Sequence, residues 1–280
     1  MTRRLSIEWP DAAPFKGRDG EPIRLLAVSD LLEPTLMETR NRAAVGEVDL
    51  IVGCGDLDCD DLAFVADAFN APMIYVHGNH DTDARWKQCK DLCPEAIHST
   101  AILRRSGLSI AGLTWPGKRG KGGNRSERIA WSQAMRLATR RLGHLEPMIV
   151  LSHVPPFGFG DVATDAYHRG FKGYRWLLER LEPTLWLHGH TPLAAKDEWK
   201  IAKGGVTIVN VTGAVLIELL PPSPETLLAR HRRLRALAIQ RKAAISKSPI
   251  GNQLAQGTPA VEAPADASPA ETAAGPGPRS

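Results

Sequence analysis

Between Glu21 and Leu220 the chain alternates short apolar runs with amphipathic stretches. The runs Ile23–Val28, Leu50–Cys54, Met73–Val76, Leu108–Leu113, Met148–Ser152, Leu185–His188, Val206–Val211 and Val215–Leu219 are β-rich and short, as buried strands are. Between several of them, Leu36–Val45, Asp61–Phe69, Ser126–Leu142 and Phe171–Leu181 read as helices. This alternation predicts a layered α/β domain around a buried sheet. The later strands have fewer helices between them, which predicts that part of the sheet is antiparallel.

After this domain, Pro221, Pro222 and Pro224 mark the start of a predicted helix over Pro224–Ala243. Arg230, Arg232, Arg233, Arg235, Arg241 and Lys242 make it strongly basic. It reads as a solvated helix at the domain edge, with a polyanion-binding arm as the alternative. From Ser248 to Ser280 the composition is mostly Ala, Pro, Gly, Ser and Thr, which predicts disorder. The expected organisation is an N-terminal extension (1–20), one α/β domain (21–222), a basic helix (223–247) and a loose tail (248–280).

With 280 residues, 43% hydrophobic and 24% charged, the chain can bury one sizeable core. A net charge of +4 is too small to indicate a whole-surface role on nucleic acid. Cys54, Cys59, Cys89 and Cys93 are too few for a disulfide scaffold and lack paired CxxC spacing, so they are expected as reduced thiols. No apolar stretch reaches the ~18 residues of a membrane span, and no apolar run follows the N-terminal arginines. A soluble, cytoplasmic protein without membrane contact is expected; its oligomeric state stays open.

The polar residues carry the chemistry. Asp30 follows the first strand, Asp56 and Asp58 the second, and Asn79, His80 and Asp81 the third. His153 follows the strand in IVLSHVPP, and His188 and His190 close LWLHGHTP. One Asp after a strand commonly serves a turn. An ordered set at successive strand ends points instead to one crevice at the carboxyl edge of the sheet. Carboxylate, amide and imidazole together suit a divalent ion such as Mn²⁺, with Fe or Zn²⁺ as alternatives. Gly55, Gly78 and Gly189 are expected to allow tight turns that aim these side chains inward.

These residues resemble the pattern of the calcineurin-like metallophosphoesterases, D-x-H, G-D-x-x-D, G-N-H-[DE], a later His and G-H-x-H. Here the pattern reads Asp30-Leu31-Leu32, Gly55-Asp56-Leu57-Asp58, Gly78-Asn79-His80-Asp81, His153 and Gly189-His190-Thr191-Pro192. The chain is also similar to a bacterial branch with S-D-x-x-x-P, C-G-D-L, Y-V-H-G-N-H-D and G-x-G-D…H-R-G-F, which likewise lacks the first His. The resemblance implies a four-layer αββα sandwich of two mixed β-sheets. It implies that Asp56 bridges two metals, that Asn79, His153 and His190 complete one site, and that Asp30 belongs to the other. It also implies that His80 protonates the leaving group or steadies the phosphoryl oxygens, oriented by Asp81.

Leu32 and Pro192 stand where the family has imidazoles of one site, so that metal is held weakly, dispensed with, or lost along with most catalysis. The Gly-rich loop FGFGDVATDAYHRG holds Asp161, His168 and Arg169; His168 and Arg169 are candidates for substrate binding, or ordinary turn and surface residues. Lys118, Arg119, Lys121 and Arg125 lie among glycines in a second loop, as an anion-attracting rim or as solvated charge. The expected activity is metal-dependent hydrolysis of a small phosphomonoester or phosphodiester, with one or two metals per chain. The alternatives are a weakened enzyme fold used as a binding scaffold, or a nuclease in which the basic helix holds nucleic acid.

Overall fold

A computed structural model describes residues 2–88, 95–121, 123–142, 145–193 and 198–246. The chain divides into two compact units, Met1–His231 and Arg232–Ser280. The first sheet takes β1 (Arg3–Glu8), β2 (Ile23–Ser29), β3 (Leu50–Gly53), β4 (Met73–Tyr75) and β5 (Glu95–Ala96). The second takes β6 (Ile102–Arg105), β7 (Leu108–Leu113), β10 (Met148–Ser152), β11 (Leu185–His188), β12 (Lys200–Lys203) and β13 (Val206–Asn210). Between β7 and β10 the short strands β8 (Gly117–Lys118) and β9 (Asn124–Arg125) make a hairpin, and β14 (Gly213–Leu220) returns to the first sheet. The orders are β1-β14-β2-β3-β4-β5 and β12-β13-β11-β10-β7-β6.

Both sheets are mixed. β2, β3 and β4 run parallel, as do β7, β10, β11 and β13, while β14–β2, β12–β13 and β6–β7 are antiparallel. All eight predicted strands are present within a residue or two of their expected limits. The helices are α1 (Pro34–Met37), α2 (Thr39–Val45), α3 (Cys59–Phe69), α4 (Asp83–Gln88), α5 (Glu127–Arg140), α6 (Lys172–Leu181) and α7 (Pro224–Ser246). The single helix expected over Leu36–Val45 is two short ones, broken at Glu38, whose backbone is extended (ψ 124).

The layers follow from which faces are apolar. Leu25, Ala27, Val52 and Ile74 of the first sheet meet Ile110, Ile149, Leu151 and Leu187 of the second in one buried cluster. Alternate residues of the first sheet, among them Leu26, Val28 and Ile51, face α2 and α3 through Val45, Leu62 and Val65. Val150, Trp186 and Ile208 of the second sheet face α5 and α6 through Ala134, Leu137, Tyr174 and Leu177. The architecture is the αββα sandwich of two mixed sheets. Each fully buried Leu or Ile contributes roughly 1.5–3 kcal/mol, so two facing sheets form a rigid base for the loops at their ends.

Two expectations change. Residues 1–20 are not a mere extension: β1 pairs in parallel with β14, and Leu5 and Trp9 are buried in the inter-sheet core. Nor are all cysteines reduced: Cys59, at the start of α3, is disulfide-bonded, whereas Cys54 is buried and free. Cys89, Cys93 and the tail over 248–280 lie outside the described residues.

Candidate metal centre

The parallel strands of both sheets end on the same side of the sandwich, where their loops interlock. The Asp30 N–H donates to the Gly55 carbonyl, Gly189 N–H to the His153 carbonyl, and Trp115 N–H to the His77 carbonyl. Asp30, Asp56 and His190 each adopt a left-handed backbone (φ 64, 62 and 66). That conformation costs a non-glycine residue of order 1–3 kcal/mol and survives where its surroundings enforce it. Of the neighbouring glycines, only Gly55 needs its backbone freedom (φ 95). Gly78 and Gly189 serve close approach instead: a Cβ on Gly78 would lie 2.2 Å from Asp56 Oδ1, and one on Gly189 2.4 Å from Asp30 Oδ2.

Four candidate ligand atoms converge. His153 Nε2 lies 3.0 Å from Asp56 Oδ2, 3.0 Å from Asn79 Oδ1 and 3.1 Å from His190 Nδ1. Hydrogen-bond partners assign the protons. His153 Nδ1 faces the Cys54 carbonyl at 2.7 Å and must donate there, so its Nε2 carries the lone pair of the neutral ring. His190 Nε2 donates to the Tyr167 carbonyl at 2.9 Å, which leaves the Nδ1 lone pair facing inward. Asn79 Nδ2 donates to the Tyr167 hydroxyl at 2.8 Å, so its Oδ1 also faces the cluster. One carboxylate oxygen, one amide oxygen and two imidazole nitrogens thus meet, with a donor among them only when His153 is protonated. Such a set calls for a cation at its centre. The oxygen and nitrogen donors fit a divalent ion; among the described residues no thiolate takes part, since Cys54 offers its carbonyl to His153 and burial raises its thiol pKa.

Without a metal, a proton stands in. Burial alone would push His153 down, but the Asp56 carboxylate outweighs it and holds the group at about 9. Burial, then the charged His153 beside it, pushes His190 down to about 3. Burial works against ionised Asp56 too, but His153 and the His80 N–H hold its pKa below the usual range. Raised from 6.5 to about 9, the His153 proton is bound throughout neutral pH in the folded, metal-free protein. Metal binding at pH 7 is therefore expected to release about one proton, and affinity to rise about tenfold per pH unit until about pH 9. Calorimetry in buffers of different ionisation enthalpy measures that release; heats independent of buffer at pH 7 would contradict it.

The remaining candidates divide. Asp30 lies on the same cavity but outside this tight cluster, its carboxylate accepting from the His190 N–H (2.9 Å) and the Thr212 hydroxyl (3.1 Å). His80 is exposed (68% of its side chain), with Nε2 4.0 Å from Asp56 Oδ2, and its backbone N–H donates to Asp56 Oδ1 at 2.7 Å. Asp81 does not orient the His80 ring. Its Oδ2 accepts from Asp56 N–H (2.9 Å), Gly78 N–H (2.7 Å) and the Tyr75 hydroxyl (2.9 Å), tying the two metal loops together. Of the His-Gly-His pair only His190 reaches the cluster; His188 is buried with Nδ1 on the Gly189 carbonyl, and burial pushes it down to about 4. Asp58 is exposed at the N-cap of α3.

His168 lines the cavity, bonded to Asp165 and packed 5.3 Å from the His190 ring. Arg169 does not line it; its Nε donates to the Ala163 carbonyl at 2.9 Å. Asp161 bridges the ends of this loop, accepting from Gly158 N–H and Gly170 N–H. In the second loop, Arg119 pairs with Asp83 and Gly120 N–H donates to the Asn79 carbonyl, so part of that loop packs on the site. Sequence reasoning passed over Tyr167, one residue before His168, and Arg3, a cavity-lining residue whose guanidinium donates to the Asn210 and Thr212 carbonyls.

A family model described as "Calcineurin-like phosphoesterase" matches residues 23–194, which hold every one of the four converging ligands. The chain belongs to the calcineurin-like phosphoesterase family. A solved crystal structure agrees on the fold: it is 13% identical over 70% of this chain and 95% of its own, with a TM-score of 0.53. A second, TT1561 of Thermus thermophilus, is 18% identical over 69% of this chain and 90% of its own, with a TM-score of 0.47. No curated protein matches the chain. For this phosphoesterase the Asp56, His153 and His190 donors, all within 4.8 Å of one another, form the candidate metal centre.

Proposed function

We propose that this calcineurin-like phosphoesterase hydrolyses a small phosphomonoester or phosphodiester with one firmly held divalent cation, Mn²⁺ being the ion its donors suit. The observation that carries the reading is the convergence of Asp56 Oδ2, Asn79 Oδ1 and His190 Nδ1 on His153 Nε2, at 3.0, 3.0 and 3.1 Å. The adjoining cavity of about 740 Å³ has the size of small-molecule sites.

The side facing Asp30 supports a single cation. Leu32 packs toward the helix-side core, Pro192 offers no donor, and the Asp30 carboxylate is engaged by the His190 N–H and Thr212. The guanidinium of Arg3, fixed by two carbonyls, supplies positive charge to the same cavity for an anionic substrate. When bound, the metal would polarise the phosphoryl group and favour ionisation of an attacking water. Asp56 would help hold it, while its Oδ1 fixes the His80 backbone, which sets the ring at the cavity wall. The His80 ring then delivers a proton to the leaving oxygen.

Hydrolysis of bis-p-nitrophenyl phosphate and p-nitrophenyl phosphate, assayed after chelation and after Mn²⁺ add-back, tests this. The expected result is loss of activity on chelation and its return with Mn²⁺. Activity indifferent to both treatments would contradict the reading.

A further inference from the structure

The loop between β10 and α6 crosses the mouth of the site and places one residue against both sheets' ligands. Tyr167 uses two groups. Its hydroxyl accepts from Asn79 Nδ2 at 2.8 Å and lies 3.2 Å from His80 Nε2, while its carbonyl accepts from His190 Nε2 at 2.9 Å. Asn79 follows β4 of the first sheet and His190 follows β11 of the second, so this residue bridges the sandwich above the ligand cluster. Its ring packs 4.9 Å from the His190 ring.

The loop is held from below. Arg125 donates to the carbonyls of Ala166, Tyr167 and Arg169 while its guanidinium lies 4.5 Å over the Phe171 ring. Asp161 clamps Gly158 and Gly170, and Val162 N–H donates to the His168 carbonyl. These bonds fix the height at which the phenol reaches Asn79.

We propose that Tyr167 is a positioning residue for the metal centre, whose hydroxyl sets the orientation of the Asn79 carboxamide. The inference rests on the metal reading above. An Asn side chain has two faces of opposite polarity: its oxygen binds a cation and its NH₂ repels one. With its hydroxyl hydrogen directed to His80 Nε2 at 3.2 Å, Tyr167 presents only lone pairs to Asn79; these engage Nδ2, and Oδ1 points to the cluster, 3.0 Å from His153 Nε2. Without that hydroxyl, the flipped amide would aim hydrogens at the cation, and binding would have to overcome the reversal. The Tyr167 carbonyl performs the matching task for His190 by engaging Nε2–H and leaving Nδ1 for the metal. Tyr167→Phe removes the first function and keeps the second.

Mn²⁺ titration by calorimetry of the full chain, in a double-mutant cycle, tests the inference. Tyr167→Phe is expected to weaken Mn²⁺ binding about tenfold, the lower end of what lost partners of metal ligands cost. In an Asn79→Asp background both carboxylate oxygens accept, no orientation is needed, and the same Tyr167→Phe change is expected to alter affinity by less than about twofold. A plain loosening of the loop would weaken binding equally in both backgrounds and would overturn the proposal. So would unchanged affinity of Tyr167→Phe in the native background. Wild-type protein that binds no Mn²⁺ would instead refute the metal reading, and the inference with it.

Discussion

Replacing Asp56 with Ala is expected to lower Mn²⁺ affinity by at least about 100-fold, since partners one layer beyond the ligands already cost 10–100-fold, and to abolish phosphoester hydrolysis. Two contacts explain the size of the effect. Oδ2 supplies the only carboxylate oxygen of the converging set, 3.0 Å from His153 Nε2, and Oδ1 accepts the His80 N–H at 2.7 Å. Asp56 also holds the His153 proton in the metal-free state, so Asp56→Ala is expected to return that ring toward its neutral form. Asp56→Asn separates charge from shape. It keeps an oxygen for the His80 N–H but removes the negative charge that offsets the cation, and is expected to lose nearly as much Mn²⁺ affinity as Asp56→Ala. An Asp56→Asn protein binding Mn²⁺ like wild type, measured by calorimetry, would remove the carboxylate from the account.

His80→Ala is expected to separate binding from chemistry. Its side chain is exposed, and the His80 group that touches Asp56 most closely is the backbone N–H, which Ala retains. Mn²⁺ affinity should stay within about twofold of wild type, while kcat falls by about 10²–10⁴, the range for a lost general acid. The leaving group supplies the discriminating readout. A nitrophenolate leaves without much help from a proton, whereas an alkoxide needs one. The loss should therefore be several-fold larger on an alkyl phosphoester than on bis-p-nitrophenyl phosphate. Equal losses on both substrates would assign His80 to holding phosphoryl oxygens rather than to proton delivery.

The candidate ligands were legible because each follows an apolar strand, and parallel strands bring their carboxyl ends together by geometry alone. Asp56, Asn79, His153 and His190 could be named from that rule and the resemblance. Other features depended on contacts that no spacing encodes. Asp81 follows His80 directly, which suggests a pair, yet its carboxylate turns to the N–H groups of Asp56 and Gly78 across the loop. Tyr167 lay in a loop already singled out, but only the closing of one sheet over the other brings its carbonyl to His190 and its hydroxyl to Asn79.

Edge elements were the hardest to read. In β1 only Leu5 is buried, and in β12 only Ile201 is even partly covered, so neither shows the continuous apolar run that marks a central strand. Missing β1 also hid Arg3, which that strand carries to the cavity. The two short helices in place of one over Leu36–Val45 reflect a backbone break at Glu38 that no Gly or Pro announces.

The most direct measurement is a Mn²⁺ titration of the metal-stripped full chain, with bound metal counted by mass spectrometry. The account predicts one tightly held equivalent, absent from Asp56→Ala. No bound Mn²⁺, or an equivalent that persists in Asp56→Ala, would contradict it, and two equally tight equivalents would contradict the single-cation centre.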